Sequence, residues 1–257
     1  HTVVMPPLPV VADCLENEIF DLAYYHAHMD EIDAARALLA DADSRRCFDD
    51  IIDYRLSGEL LYLDDAVWQE EETWKILKPS SFRRCADLGA YTGDTIAALC
   101  RQTAKRPEII AMEPDARTFA KLTANCPEAE CYHAAAWNTH ATLQFAAKSN
   151  RGSSAMQQGS ASRMIEVPAE ALDTLLDGRS VDYIKYDVEG AEAKALEGSR
   201  HTIAAFRPAL LISLYHRTAD FFRLPLYLQT ICADYRMYLR RTVGYPDWDL
   251  NLLAVVP

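Results

Sequence analysis

The stretch RRCADLGAYTGDTIAALC, residues 83–100, decides the fold. Its first part, RRCADL, reads as a strand, and the DLGAYTGDT segment (87–95) then turns directly into a helix. Glycine in such a turn lets the backbone approach a ligand, and the helix start offers free N–H groups and positive dipole to an anion. Tyr91 stands where a dinucleotide G-x-G-x-x-G carries its middle glycine, and no Gly-Lys-Ser/Thr of a P-loop follows. A tight turn that binds nothing is the plain alternative.

Outward from this turn, apolar runs alternate with helical patterns: EIIAM (108–112), ECYHAA (130–135), VDYIKYD (181–187) and PALLISLY (208–215). That alternation is the signature of βαβ units, hence an α/β fold with a mostly parallel sheet. TLQFAA and RMIEVPA read as two short strands around the polar loop 150–163, a length that is often functional. YRMYLRR (235–241) and LNLLAVVP (250–257) are expected to pair antiparallel at the sheet edge across a turn-rich GYPDWD. Residues 13–58 read as helices: Asp13 and Glu16 form a capping box, Leu15, Ile19, Leu22 and Tyr25 follow at helical spacing, and Ile32, Ala35 and Leu38/Leu39 continue the pattern. Ser44 is the expected N-cap of a third helix, with Phe48, Ile51, Ile52 and Leu56 on its apolar face and Gly58 at its end. The division that follows is an N-terminal helical cap over residues 1–80 and a second domain over 81–257.

Glycine is scarce, nine in 257 residues, against the usual ~7%. The balance of 38 acidic and 26 basic residues, net −12, argues against nucleic acid or an anionic membrane as the main partner. Seven cysteines are scattered without a CxxC pair, which fits reduced thiols in a cytoplasmic protein. No apolar run approaches the 18 residues of a membrane span. The start, HTVVMPPLPVVAD, has no basic n-region, and it lacks an initiator Met, so the chain is open to being a piece of something longer.

Three further clusters carry chemistry. Glu113-Pro114-Asp115 closes the second strand 20 residues after Gly93, where an acidic residue accepts hydrogen bonds from the ribose hydroxyls of a nucleoside cofactor. Glu113 is the candidate, and Asp115 is expected in the first turn of the next helix. In IKYDVEGAEAKALEG (184–198), Lys185 and Asp187 share one face of a strand, Asp187 falls at its C-terminal end, Glu189 lies in the turn, and Glu192 is either its neighbour or a solvated first-turn charge. Carboxylates there suit a general base, a substrate clamp or divalent-metal ligands. His216, after the next strand, suits a base or a metal ligand.

In order and spacing, DLGAYTGDT, MEPD, AAAWNTHATLQF (134–145), GSSAM (152–156), IKYDVEGAE, the following LEG and SLYH resemble the FkbM-type family of S-adenosyl-L-methionine (SAM)-dependent methyltransferases, over about residues 81–257. The resemblance implies a class I, Rossmann-like methyltransferase fold and O-methylation of a hydroxyl on a sugar, glycan or secondary metabolite. It places Asp87, Gly89, Tyr91, Gly93, Asp94 and Thr95 at the methionyl end of SAM, Glu113 with Pro114 at the ribose, and Ala135, Ala136 and Trp137 near the adenine. Ala134 to Ala136 offer only backbone to the adenine amine, a departure from methyltransferases that carry an Asp or Asn there. Asp187 or His216 is the implied base, flanked by Glu189 and Lys185, with a divalent metal such as Mg as a candidate assistant held by Asp187, Glu189 and His216. The aromatic tract YHRTADFFRLPLYL (215–228) serves either a sugar acceptor or the core. Homo-oligomerisation stays open. The rival readings are a non-catalytic SAM-binding scaffold within a larger assembly and a nicotinamide-dependent oxidoreductase.

Overall fold

The computed structural model describes residues 18–64, 68, 70–146, 164–242 and 248–257. The expected capping box at Asp13 and Glu16 and the loop 150–163 lie outside them. Four helices come first: α1 (Leu22–Ala37), α2 (Ala42–Ser57), α3 (Leu61–Asp64) and α4 (Glu70–Leu77). Strands and helices then alternate as β1 (Arg84–Leu88), α5 (Asp94–Gln102), β2 (Glu108–Met112), α6 (Ala116–Asn125) and β3 (Glu130–Tyr132). Three short strands follow, β4 (Ala135–Ala136), β5 (Ala141–Ala146) and β6 (Met164–Glu170), and then α7 (Leu172–Leu176), β7 (Tyr183–Tyr186), α8 (Glu192–Glu197) and α9 (Arg200–Phe206). The chain closes with β8 (Ala209–Ser213), α10 (Asp220–Ile231), β9 (Arg236–Arg241) and β10 (Leu250–Val255).

Seven strands are ordered β3-β2-β1-β7-β8-β10-β9, and β4-β6-β5 form a second sheet. β1 pairs in parallel with β2 and β7, β2 in parallel with β3, and β9 antiparallel with β10. This is the mostly parallel α/β architecture with an antiparallel edge that the alternating pattern predicts. One expected strand divides. ECYHAA becomes β3, paired with β2, and β4, paired with β6, because the backbone leaves one sheet for the other at His133.

The chain resolves into two compact units, residues 78–211 and residues 1–77 with 212–257. In the first, β1, β2 and β7 run in parallel, so the turns that follow them emerge at one edge, where open α/β sheets place ligands. The buried faces of these strands are near-continuous apolar runs, Ile109–Met112 and Ala86/Leu88 among them, as expected of a sheet covered on both sides.

In the second unit α1 packs on α10, α2 on β9 and α4 on β10. The two expected N-terminal helical stretches are one helix, capped by Asp21, with Ile32 and Ala35 buried and with Ile19, before it, and Leu22 exposed. Phe221 stacks on Phe48 at 4.2 Å, both fully buried, so that part of the aromatic tract is core. Gly58 ends α2 in the left-handed region as expected. The N-cap of α2, however, is Asp41 rather than Ser44. The Asp41 carboxylate accepts the Ser44 N–H at 2.7 Å and the Arg240 guanidinium at 2.7 Å, while the Ser44 hydroxyl accepts a second Arg240 N–H at 2.9 Å and the Leu239 N–H at 2.9 Å. Burial works to raise the Asp41 carboxyl, but Arg240 and Ser44 outweigh it and lower it to about 2. Its stabilisation is therefore present above the ordinary value of 3.8 and is lost as pH falls through about 2.

Asp41→Ala removes a cap and leaves the buried Arg240 without its carboxylate. It is expected to cost about 2–3 kcal/mol in urea unfolding at pH 7. The difference from wild type should shrink as the buffer is taken below pH 4; a constant gap would assign the loss to packing alone.

Candidate active site

Three strand ends build the site within residues 78–211, and the first is the turn after β1. The N–H groups of Gly89 and Ala90 both donate to the Met112 carbonyl, at 3.0 and 2.9 Å, and Gly93 N–H donates to Ala90 O at 2.9 Å. Gly89 has φ +81, and a Cβ there would stand 1.9 Å from the Asp187 carbonyl oxygen. Only glycine lets the β1 and β7 ends approach this closely. Gly93 has φ +87 and caps α5, and a Cβ on it would stand 2.4 Å from Cys126 Sγ. Asn125 Nδ2 donates to the Thr92 carbonyl at 2.9 Å. Asp94 is exposed at the start of α5. Thr95, at the helix start, faces inward by its hydroxyl, which donates to Asp87 Oδ2 and supports that carboxylate.

The second strand end is the turn after β2. Glu113 is buried, and each of its oxygens is held by a backbone donor: Tyr91 N–H to Oε2 at 3.0 Å and Asp115 N–H to Oε1 at 2.9 Å. One carboxylate thus brackets the turns after β1 and β2. Burial pushes the Glu113 carboxyl up to about 7; the Asp115 and Tyr91 N–H groups offset part of this, and the neighbouring Asp115 and Asp87 charges add to it. Asp115 is the N-cap of α6, just ahead of the first turn in which the sequence suggests it, and accepts from Arg117 and Thr118 N–H at 3.1 and 2.9 Å. The Pro114 carbonyl lies 3.1 Å from His133 Nε2.

The third strand end follows β7. Lys185 is the register partner of Asp87 in the β1–β7 pair. Its buried ammonium lies 3.4 Å from Asp87 Oδ1, 3.2 Å from Asp187 Oδ2 and 3.5 Å from the Gly89 carbonyl. Burial works to lower its pKa, but the Asp187 and Asp87 carboxylates outweigh this, so Lys185 stays protonated well above neutral pH. Burial pushes the Asp87 carboxyl upward, opposed by Lys185 and Thr95. Glu189 is half-buried with φ +55, next to Gly190 at +94. Glu192 is not the solvated charge of one sequence reading. It is fully buried, and its Oε1 accepts the Val188 N–H at 2.9 Å, which pins the turn from beneath.

Near the expected adenine side, Ala135 and Ala136 are buried in β4, and Trp137 is half-buried with its N–H donating to the Glu170 carbonyl at 2.9 Å. A Cβ on Gly198 would stand 1.9 Å from the Trp137 carbonyl oxygen, so the glycine of the LEG motif lets the α8 end pack against this segment. His216 belongs to the other unit, where it is buried with its ring centroid 4.2 Å from that of Tyr215. Sequence reasoning missed the Asp87–Lys185 pair, the double hold on Glu113, and the burial of Glu192.

The metal expectation needs correction. Among the described residues no group of three or more His, Cys, Asp or Glu is placed to hold a metal ion. Beside Asp187 the cation's place is taken by the Lys185 ammonium, so the donor set does not fit Mg and no step is derived through one. No helix among the described residues is long and apolar enough to cross a membrane.

This architecture is the class I methyltransferase fold. The family described as the methyltransferase FkbM domain matches residues 87–245, and the chain belongs to that family. The structure of the methyltransferase FkbM from Methylobacillus flagellatus KT superposes with a TM-score of 0.75 at 22% identity, over 90% of this chain. This chain spans 60% of that protein's length. An rRNA methylase from Streptococcus thermophilus matches at a TM-score of 0.47 and 10% identity, over 73% of this chain and 95% of its own. No curated protein sequence matches.

Gly89→Ala is expected to cost about 3 kcal/mol or more in urea unfolding, because backbone and not a flexible side chain blocks the new methyl. Gly178→Ala is the control. Its φ is +77 and nothing lies within 4 Å, so it should lose only the left-handed strain of about 1 kcal/mol. Equal losses in the two variants would refute the close approach of β1 and β7.

Proposed function

We propose that the chain is a SAM-dependent methyltransferase that methylates a hydroxyl on a sugar, glycan or secondary metabolite. The observation that carries the reading is Glu113: a buried carboxylate at the end of β2, preset by two backbone N–H groups, in the place from which a ribose is held in this fold class. Each oxygen has accepting capacity left for a ribose hydroxyl. Around the turn stand Asp87, Asp94 and Glu113, a set of charges that disfavours the pyrophosphate of a dinucleotide and suits the ammonium and sulfonium of SAM. Family membership supports the transfer chemistry.

When bound, SAM supplies a methyl group on a sulfonium whose departure leaves a neutral thioether. The chain has two tasks, to orient an acceptor oxygen in line with that methyl and to take its proton. Asp187, at the end of β7, is the proposed base within residues 78–211. A carboxylate beside an ammonium is a weak base, and this suffices where the proton leaves late, because an alcohol oxygen that is gaining a methyl becomes strongly acidic. Glu189, held in the left-handed region beside Gly190, is proposed to clamp the acceptor. His216 is the second candidate base.

Asp187→Asn should lower turnover at saturating SAM about 100-fold, measured with labelled SAM against bacterial glycan and metabolite fractions. Unaltered turnover in both Asp187→Asn and His216→Ala would remove both residues from the proton-transfer role. Cofactor affinity carries a pH signature. Burial stabilises Glu113 in its protonated form, so that contribution to folding is lost as pH rises from 4.5 through about 7. A ribose needs the carboxylate, so calorimetric affinity for SAM should rise about tenfold between pH 6 and pH 8. Glu113→Ala should bind weakly at both pH values. A flat wild-type profile would sink the ribose role.

A further inference from the structure

SAM carries its methionyl group, ribose and base in a fixed order, and the order of the strand ends fixes where each falls. At this edge the strands run β1, β2, β3. With the methionyl group at the turn after β1 and the ribose at Glu113 after β2, the base falls over the segment that follows β3. That segment is tied to the ribose side, because His133 Nε2 lies 3.1 Å from the Pro114 carbonyl. Beyond it, Ala134, Ala135 and Ala136 are buried and carry no polar side chain. Asn138, the first amide side chain along, is hydrogen-bonded to the Glu197 carboxylate.

An acceptor arrives instead from β6. Glu170 is the register partner of Ala136 in the parallel β4–β6 pair, and its carbonyl accepts the Trp137 N–H at 2.9 Å. One oxygen of its side chain, Oε1, is hydrogen-bonded to His140 Nδ1. The other, Oε2, is closed to solvent and has no hydrogen-bond partner among the described residues. A buried carboxylate oxygen without a donor is costly, and such an orphan marks a place where a donor is missing. The side chain as a whole keeps 21% exposure, and the torsion that carries the carboxylate is soft, so either oxygen can be turned to an arriving ligand.

We propose that Glu170 is the specificity-determining residue for the base, with its unpartnered oxygen accepting the exocyclic amine of adenine. The inference rests on the SAM reading above and supplies the adenine contact that residues 134–136 lack. Adenine presents an N–H donor at C6, where hypoxanthine presents a carbonyl oxygen. A carboxylate accepts from the first and repels the second, so the site reads the base by its C6 substituent. His140 is a positioning residue, since its bond to Oε1 sets the orientation of the carboxylate.

Calorimetry with S-adenosylhomocysteine and S-inosylhomocysteine tests this without turnover. Wild-type protein is expected to bind the adenine compound about 30-fold more tightly than the hypoxanthine one. In Glu170→Gln the new amide can accept from the amine or donate to the carbonyl, so the ratio should fall to about threefold or less. A wild-type ratio near one would overturn the proposal. So would a Glu170→Gln variant that weakens both compounds equally, which is the mark of a purely structural role. Should that variant fail to fold, His140→Ala carries the test, because its ring is 78% exposed and its loss should leave the fold intact. There the ratio should fall about threefold, and an unchanged ratio would overturn the proposal as well. Binding of neither compound by the wild type would instead overturn the SAM reading on which the proposal stands.

Discussion

A lysine ammonium enclosed at the meeting of two parallel strands is the constraint on which the rest of this site depends. β1 and β7 come together so tightly at Gly89 that the Asp187 carbonyl occupies the space of a side chain. Each strand also brings a carboxylate to that point. Two carboxylates side by side would repel, and burying that of Asp87 costs several kcal/mol in lost hydration. Lys185 answers both problems because it is the register partner of Asp87 and reaches Asp187 and the Gly89 carbonyl as well. Three oxygens within 3.5 Å make the enclosure of its charge tolerable. The geometry of the cofactor turn is thereby coupled to the strand end that carries the proposed base.

Glu113 performs a parallel service on the other side. It ties the turn after β1 to the start of α6 through Tyr91 and Asp115, and the backbone donors that orient it also lower the cost of its burial. The two carboxylate brackets leave the turn preformed, so little ordering remains to be done when a ligand arrives. The same brackets make the turn acidic. A P-loop binds anions with unopposed backbone donors; here the Gly89, Ala90 and Tyr91 N–H groups are already taken by the Met112 carbonyl and Glu113.

Local chemistry was legible in the sequence wherever it determined structure. The strand–turn–helix of 83–100, the start of a helix at Asp115, the Gly58 terminus and the antiparallel closing pair all follow from neighbours within a few positions. Reading failed where a distant partner decided. Ser44 looks like a cap, but Asp41 takes the role because Arg240, 199 residues on, draws its carboxylate into place and claims the Ser44 hydroxyl as well. The Asp87–Lys185 bond joins residues 98 apart, and no periodicity announces which strands will be neighbours. Glu192 follows the same logic: its spacing suits an exposed first turn, and only the path of the DVEG turn above it makes Val188 N–H the partner.

Positive backbone angles gather at the same strand ends. Among the described residues six non-glycines adopt positive φ, in a chain with only nine glycines. Asp177 and Arg207 do so as helix C-caps, where the left-handed conformation satisfies the last carbonyls and repays its cost. Tyr91 and Glu189 are not helix C-caps. Each lies in a turn at a strand end, at φ +48 and +55, where glycine would relieve about 1 kcal/mol. A chain that places glycine at 89, 93 and 190 retains a phenol and a carboxylate at these neighbouring strained positions. Strain of this kind persists where the surroundings over-determine it, and the Glu113 carboxylate on Tyr91 N–H is one such hold.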